Sequence, residues 1–406
     1  MTSRLPVVFI LLTVMIDAMG IGLIIPVMPG LILDVQGGDL ANAALWGGLL
    51  SFSFAVMQFT CGPLVGNLSD WYGRRPVLLV SLFIMTLDYL VMAVAGSIWL
   101  LLIGRIVGGI TAATQSTAAA YMADTSPPEK RGASFGLVSA ALGLGFVMGP
   151  PVGGLLGDID VRAPFYAAAA LAFGNFILGY FVLTESVTDE TRRPFDIKRA
   201  NPFGALRQIR ELPGLGKLLC VLLLYQLAFN TYPAVWPYFT IARFEWSPLM
   251  IGLSLTVFGL SMALVQGGLI RVIIARFGEV STVNIGFFFA VGSLAVLGFI
   301  SNGTLALMLI PFAALAAMTV PALQAIMSKQ TPENAQGELQ GIFTSVGALA
   351  MIITPISMTS IFAVFTRDGA PVFLPGAPFL AALCLTLVGL LIFRGVTRDK
   401  TQSSLG

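Results

Sequence analysis

Gly66-Asn67-Leu68-Ser69-Asp70-Trp71-Tyr72-Gly73-Arg74-Arg75-Pro76 is a burst of charge between two long apolar runs. Asp70, Arg74 and Arg75 can neither enter hydrocarbon nor sit unpartnered beside it. They therefore mark a polar turn where one membrane helix stops and the next begins. The composition agrees: of 406 residues, 57% are apolar and 10% charged. A bilayer core about 30 Å thick takes roughly 20 apolar residues per helix. Runs of that kind recur at 5–33, 43–68, 76–95, 98–123, 133–156 and 163–184, then at 215–242, 248–274, 282–300, 304–327, 339–365 and 375–393. The reading is an all-α membrane protein with twelve transmembrane helices. Residues 1–184 and 214–406 form two six-helix bundles, and 185–213 is a cytoplasmic linker with a short amphipathic helix around 203–212.

Composition also excludes. The chain has no histidine, so histidine metal sites, general bases and proton relays are ruled out. Cys61, Cys220 and Cys384 are odd in number, lie inside apolar runs and lack metal-ligand spacing, and they read as small core residues. A formal charge of +2 gives no hint of a nucleic-acid partner. No phosphate loop or nucleophile–base pair suggests an enzyme, and nothing implies a cofactor. The first apolar run is too long for a signal-peptide core and contains an acid, so it is expected to be retained.

Basic residues set the orientation. With the N-terminus inside, inner segments hold Arg4, Arg74, Arg75, Lys130, Arg131, seven basic residues between 192 and 217, and more at 271, 276, 329, 394, 398 and 400. The outer loops hold only Arg162, Arg243 and Arg367. This asymmetry puts both termini in the cytoplasm.

The chain repeats itself at an offset of 205 residues: Pro127, Gly132 and Gly136 recur as Pro332, Gly337 and Gly341, and Tyr72-Gly73 as Phe277-Gly278. The two bundles are thus pseudo-symmetric. They are also unequal. The offset carries Asp70 to Ala275, Asp88 to Ser293 and Arg105 to Ile310, so buried charge is confined to the N-terminal half.

Three charges fall deep inside apolar runs, away from their ends. Asp17 lies roughly 16 Å along the first helix, where a carboxylate costs about 2.5–3.5 kcal/mol unless neutralised or partnered. It is either a packing acid or a proton carrier. Asp88, in the third helix, is either a lateral hydrogen-bond acceptor or a second carrier. Arg105 either snorkels outward or pairs with an acid of this half, with Asp17 the natural candidate. On the inner side Asp70, Arg74 and Arg75, with Asp124, Glu129 and Arg131, can form a charge latch. Tyr225, Phe229, Tyr232 and Trp236 recur at helical spacing as one stripe on the seventh helix, suited to lipid, packing or cargo. Gln58, Gln115, Asn230, Gln266 and Gln324 are further cargo candidates, because unpaired amides are costly in lipid.

The spacing G-x-x-x-D-x-x-G-R-R at Gly66, Asp70, Gly73, Arg74 and Arg75 resembles the loop between the second and third helices of the major facilitator superfamily of secondary transporters. With D-x-x-G-x-G-x-x-x-P-x-x-P from Asp17 to Pro29, Leu87-Asp88-Tyr89, and the fifth-helix residues Gly145, Gly149, Pro150 and Gly153, the chain resembles the twelve-spanner drug/proton antiporters. Within them it is most similar to the bacterial tetracycline/proton antiporters. The resemblance implies proton-coupled efflux of a lipophilic small molecule by alternating access, with the cargo cavity between the halves. It further implies proton coupling through Asp17, Asp88 and Arg105, an inner-membrane location, and work as a monomer among lipids. An uptake symporter or facilitator for a small metabolite is the alternative. Two positions depart from the pattern: Met262 stands where those exporters have a histidine, and Ala290 where they have an acid. These replacements imply a cargo more apolar than a tetracycline–metal chelate.

Overall fold

The computed structural model describes residues 4–112, 114–190, 192–196, 204 and 214–403. The described elements are helical. They are α1 Arg4–Ile24, α2 Met28–Gln36, α3 Leu40–Tyr72, α4 Arg74–Val94, α5 Ile98–Thr111, α6 Thr114–Thr125, α7 Arg131–Ile159 and α8 Ala163–Val182. After the linker come α9 Gly216–Phe229, α10 Thr231–Phe244, α11 Pro248–Leu264, α12 Ile270–Phe299, α13 Gly303–Ala314, α14 Thr319–Lys329, α15 Gln336–Thr366 and α16 Ala377–Ser403. Among the described residues, eleven runs are long and apolar enough to cross a bilayer, and one of them, Pro248–Phe299, has 52 residues. That is more than twice a single span. It breaks at Gly278, whose φ of 77° no helix accommodates, so it counts as two and the total is twelve. The amphipathic helix expected around 203–212 lies, apart from Gly204, outside the described residues.

Every third span is interrupted. The first breaks after Ile24 at a turn containing Pro26, the fourth at Ala112, the seventh at Asn230 just before Pro233, and the tenth at the 3-10 turn Leu315–Met318 between Pro311 and Pro321. Proline removes a ladder hydrogen bond and excludes the preceding carbonyl. Broken spans are also where membrane transporters expose backbone and polar groups to cargo. The eighth span carries a π-helical turn, Val265–Leu269, around Gly267-Gly268.

The chain divides into two compact units. One comprises Met1–Gly38, Ser53–Pro202 and Trp246–Thr256, and the other Asp39–Phe52, Phe203–Glu245 and Val257–Gly406. Phe9, Ile10 and Val14 of α1 pack with Leu78, Leu82 and Tyr121 in the first core. Leu222 and Tyr225 pack with Phe287, Met327, Ile342 and Phe393 in the second.

Within the first unit, α7 lies unusually close to α1. A Cβ at Gly145 would overlap the Met15 carbonyl, one at Gly149 would stand 2.6 Å from the Met19 carbonyl, and one at Gly153 would overlap the Leu23 carbonyl. Three glycines four residues apart meet three carbonyls four residues apart, a one-to-one register that only bare backbone allows. Gly22 answers from α1: its Cβ would stand 2.8 Å from Pro150 Cδ.

The cysteines need correction. Cys220 and Cys384 are exposed and Cys61 is half-buried, so two of the three are not core residues. A thiol is apolar enough to face lipid.

Candidate functional site

Asp88 is buried on α4, and Arg105 projects from α5 beside it. Arg105 Nη2 donates to Asp88 Oδ2, with the side chains 12% and 3% exposed. The carboxylate has a berth without side chains: a Cβ at Gly104 would stand 2.8 Å from Oδ1, and one at Gly108 2.6 Å from Oδ2. Gly104 and Gly108 are one turn apart, so the pair of glycines receives both oxygens. On the other side Arg105 lies over the ring of Phe54, 5.2 Å from its centroid. Such a stack adds attraction in a site shielded from water. Oδ1 of Asp88 and Nε of Arg105 are buried without a partner among the described residues.

The pairing corrects the expectation that Arg105 would seek Asp17. α4 and α5 are adjacent antiparallel spans, and the glycine berth brings Asp88 up against α5. Asp17 is 8% exposed on α1, with the side chain of Gln115 of α6 as its polar neighbour. Gln115, expected as a cargo contact, thus lies beside the acid. Tyr89, the residue after Asp88, has its hydroxyl within 2.5 Å of where a Gly20 Cβ would be, and it lies within electrostatic range of Asp17, Asp88 and Arg105. The sequence therefore brings three membrane charges and one phenol together, and each glycine of the Asp17-x-x-Gly20-x-Gly22 run has its own neighbour. Gln58 Nε2 donates to the Ala112 carbonyl at 3.4 Å, supplying a donor at the break in the fourth span.

At the inner end Arg74 is the hub. It pairs with Asp70 at 2.5 Å and with Asp124 at 3.1 Å, and its Nη1 donates to Ser69 Oγ at 2.6 Å. Arg75 Nη2 donates to the Tyr180 carbonyl at 2.9 Å, and its guanidinium lies over the Tyr180 ring. Gly73 has φ 114°, a value that glycine alone adopts without strain. Gly66 opens on free space. Glu129 and Arg131 are exposed and take no part in these pairs.

In the second unit the seventh-span stripe is split. Tyr225 and Trp236 are 2% and 4% exposed, in the core, with Tyr225 Oη donating to the Ala316 carbonyl at 2.5 Å. The remaining pair, Phe229 and Tyr232, lies on either side of the helix break at Asn230, and both are half-buried. Phe258 of α11, which the sequence reading passed over, completes them: its ring is 6.1 Å from Phe229 and 5.8 Å from Tyr232, stacked on the latter. Tyr232 Oη donates to Ser293 Oγ at 3.3 Å, on the residue that the offset matches to Asp88. Met262 and Gln324 are half-buried, Gln266 sits exposed on the π-helical turn, and Asn230 donates back to the Gln226 carbonyl at 2.8 Å. Ala290 is buried. A separate groove of about 750 Å³ between α12 and α13 is lined only by apolar side chains such as Val296, Leu305 and Phe312, as befits a lipid-facing surface.

A family model described as Major Facilitator Superfamily matches residues 10–355 and again 218–404. The chain belongs to the Major Facilitator Superfamily. Among its relatives in that superfamily, the class C tetracycline resistance protein of Escherichia coli is 42% identical over 363 residues, 89% of this chain and 91% of that protein. The class G tetracycline resistance protein of Vibrio anguillarum is 38% identical over 361 residues, 88% and 91% of the two chains. The solved structure of the human organic anion transporter MFSD10 has a TM-score of 0.68 at 25% identity, covering 97% of this chain and all of that one. The all-α, twelve-span fold expected from the sequence is thus the fold of a multi-pass superfamily member.

Proposed function

We propose that the chain is a proton-coupled exporter of lipophilic small molecules, working by alternating access as a monomer in a bacterial inner membrane with both termini in the cytoplasm. One observation carries this reading: a buried Asp88–Arg105 ion pair beside a second buried acid, Asp17, with no cation paired to it among the described residues. Two carboxylates and one guanidinium leave one negative charge, and a single proton cancels it. A charge left alone at this depth costs about 2.5–3.5 kcal/mol, so proton arrival and departure must be matched by movement of Arg105. A proton on Asp88 Oδ1, the oxygen without a partner, loosens the pair and lets the guanidinium turn to Asp17. Loss of the proton returns it. Coupling follows because the two arrangements differ in proton affinity. The tetracycline resistance relatives support a drug as cargo. The ring face of Phe229, Tyr232 and Phe258 favours a flat, apolar molecule, and with Met262 and Ala290 it offers no acid or imidazole to a metal chelate. An uptake symporter for a polar metabolite would need polar groups where these rings stand.

The test uses inside-out vesicles from an exporter-deficient host, acidified inside and given radiolabelled tetracycline with Mg2+ or, separately, ethidium. Uptake of at least one probe is expected, with protons leaving the lumen as it enters. Protons and probe moving in the same direction would instead establish symport. Asp17→Asn is expected to abolish accumulation against a gradient while leaving the protein in the membrane at parental amounts. Phe258→Ala should raise KM for the transported probe about tenfold with little change in maximal rate, since an aromatic contact is worth about 0.5–1.5 kcal/mol beyond its buried area.

A further inference from the structure

α4 begins badly. Arg74 and Arg75 place two cations on its first turn, against the positive end of the helix dipole, and its first N–H groups have no acceptor within the helix. Glu185, the first residue beyond the sixth apolar run, corrects both faults. Its Oε1 accepts the Arg74 N–H at 2.9 Å and its Oε2 accepts the Arg75 N–H at 3.2 Å. Oε1 also accepts the N–H groups of Ser186 and Val187 at 2.9 and 3.0 Å. The carboxylate enters through Gly73, where a Cβ would overlap Oε2. Gly73 is therefore required for space as well as for its φ.

The residues after Glu185 stay on the same loop. Ser186 Oγ donates to Asp124 Oδ2 at 3.2 Å, the oxygen that also takes Arg74 Nε. The Arg193 N–H donates to the Asp70 carbonyl at 3.3 Å, Asn67 Nδ2 donates to the Asp196 carbonyl at 2.5 Å, and the Phe195 ring lies 5.9 Å from that of Trp71. The start of the linker is thus strapped to the inner loop.

The C-terminal half builds the same device with reversed polarity. The offset of 205 carries Arg74 to Glu279 and Asp124 to Lys329, and these two also form an ion pair. Glu279 stands at the inner turn beside Gly278. The hydrogen bond from Lys329, with another from its own backbone N–H, holds its carboxyl below the ordinary range. An acid on the first turn suits the helix dipole, so one residue both pairs with the neighbouring span and faces the positive end of its own helix. The N-terminal half has the cation in that place and needs a carboxylate from outside.

We propose that Glu185 is a positioning residue for transport: it docks the start of the linker on the first turn of α4 and thereby fixes the depth of Asp88 against Arg105. Asp88 lies fourteen residues along the same uninterrupted helix, about 21 Å from the pinned end. The berth at Gly104 and Gly108 is too tight for the helix to slide without breaking the pair.

The inference rests on the proposed exporter function for its transport arm but not for its docking arm. Full-length parent, Glu185→Gln, Gly73→Ala, the double variant and Asp189→Asn, an exposed linker acid, are compared in inside-out vesicles after matching protein amounts by immunoblot. Trypsin cleavage within 185–213 should be at least threefold faster in Glu185→Gln and in Gly73→Ala, no faster still in the double, and at the parental rate in Asp189→Asn. Maximal uptake of the transported probe, tetracycline with Mg2+ or ethidium, should fall three- to tenfold in Glu185→Gln with KM unchanged. Parental cleavage of Glu185→Gln, or effects that multiply in the double, overturns the docking. Faster cleavage with parental maximal uptake, or a change confined to KM, overturns the positioning role. If the parent moves neither probe, the exporter reading falls and the positioning role with it, while the trypsin comparison still decides the docking.

Discussion

Arg105→Ala abolishes proton-driven export and destabilises the protein, and adding Asp88→Asn to the same chain restores stability but not export. Removing the guanidinium strands a carboxylate that is 3% exposed between two glycines with no side chain to offer it. Breaking a buried pair from one side typically costs about 3–5 kcal/mol, whereas removing both charges together is often neutral. Phe54 also loses the cation over its ring, a contribution of about 0.5–2 kcal/mol. Thermal unfolding in detergent, followed by intrinsic fluorescence on all three variants, separates the effects. The single change should lower the midpoint markedly and the double should recover most of it. Both should be inactive in the vesicle assay, because neither retains an ionisable pair that can be exchanged. If Arg105→Ala unfolds at the parental temperature, Asp88 is not charged in the resting protein and the proposed exchange of Arg105 between acids has no basis.

What could be read from the sequence was set by how far its signals reach along the chain. Spans, orientation and the two-fold repeat are written in local composition, in proline and glycine punctuation and in basic residues at helix ends. The charges themselves were equally visible: Asp17, Asp88 and Arg105 stand out because no other charged residue lies within those runs. Their pairing was not, since it depends on Gly104 and Gly108, whose missing side chains matter only once α4 is laid against α5. Glu185 was hidden for the opposite reason. It stands among other charges at the start of the linker, and its value lies in backbone N–H groups 110 and 111 residues away. Helical spacing put the four aromatics on one stripe, but it carries no information on how deeply each is buried. Tyr225 and Trp236 are in the core, while Phe229 and Tyr232, on either side of the break at Asn230, meet Phe258 from another span.

Alanine at Gly145, Gly149 or Gly153 should cripple the transporter, while alanine at Gly143 on the same helix should not. Glycine to alanine within a helix ordinarily stabilises by about 0.5–1 kcal/mol, so propensity alone favours all four changes. Gly143 opens on free space and should show that gain. The other three face the carbonyls of Met15, Met19 and Leu23, and backbone cannot swing aside as a side chain can. Each added methyl must push α1 away from α7, at the roughly 1–3 kcal/mol typical of overpacking. The functional loss should exceed the loss of stability, because Asp17 lies between the Met15 and Met19 contacts and a shift of α1 carries it away from Gln115. Gly149→Val, with two further carbons in the same gap, should eliminate uptake altogether. Vesicle uptake and thermal unfolding measured together on the four alanine variants decide the matter. A Gly149→Ala protein as active as Gly143→Ala would mean that the close approach of α1 and α7 is not needed to hold Asp17 in place.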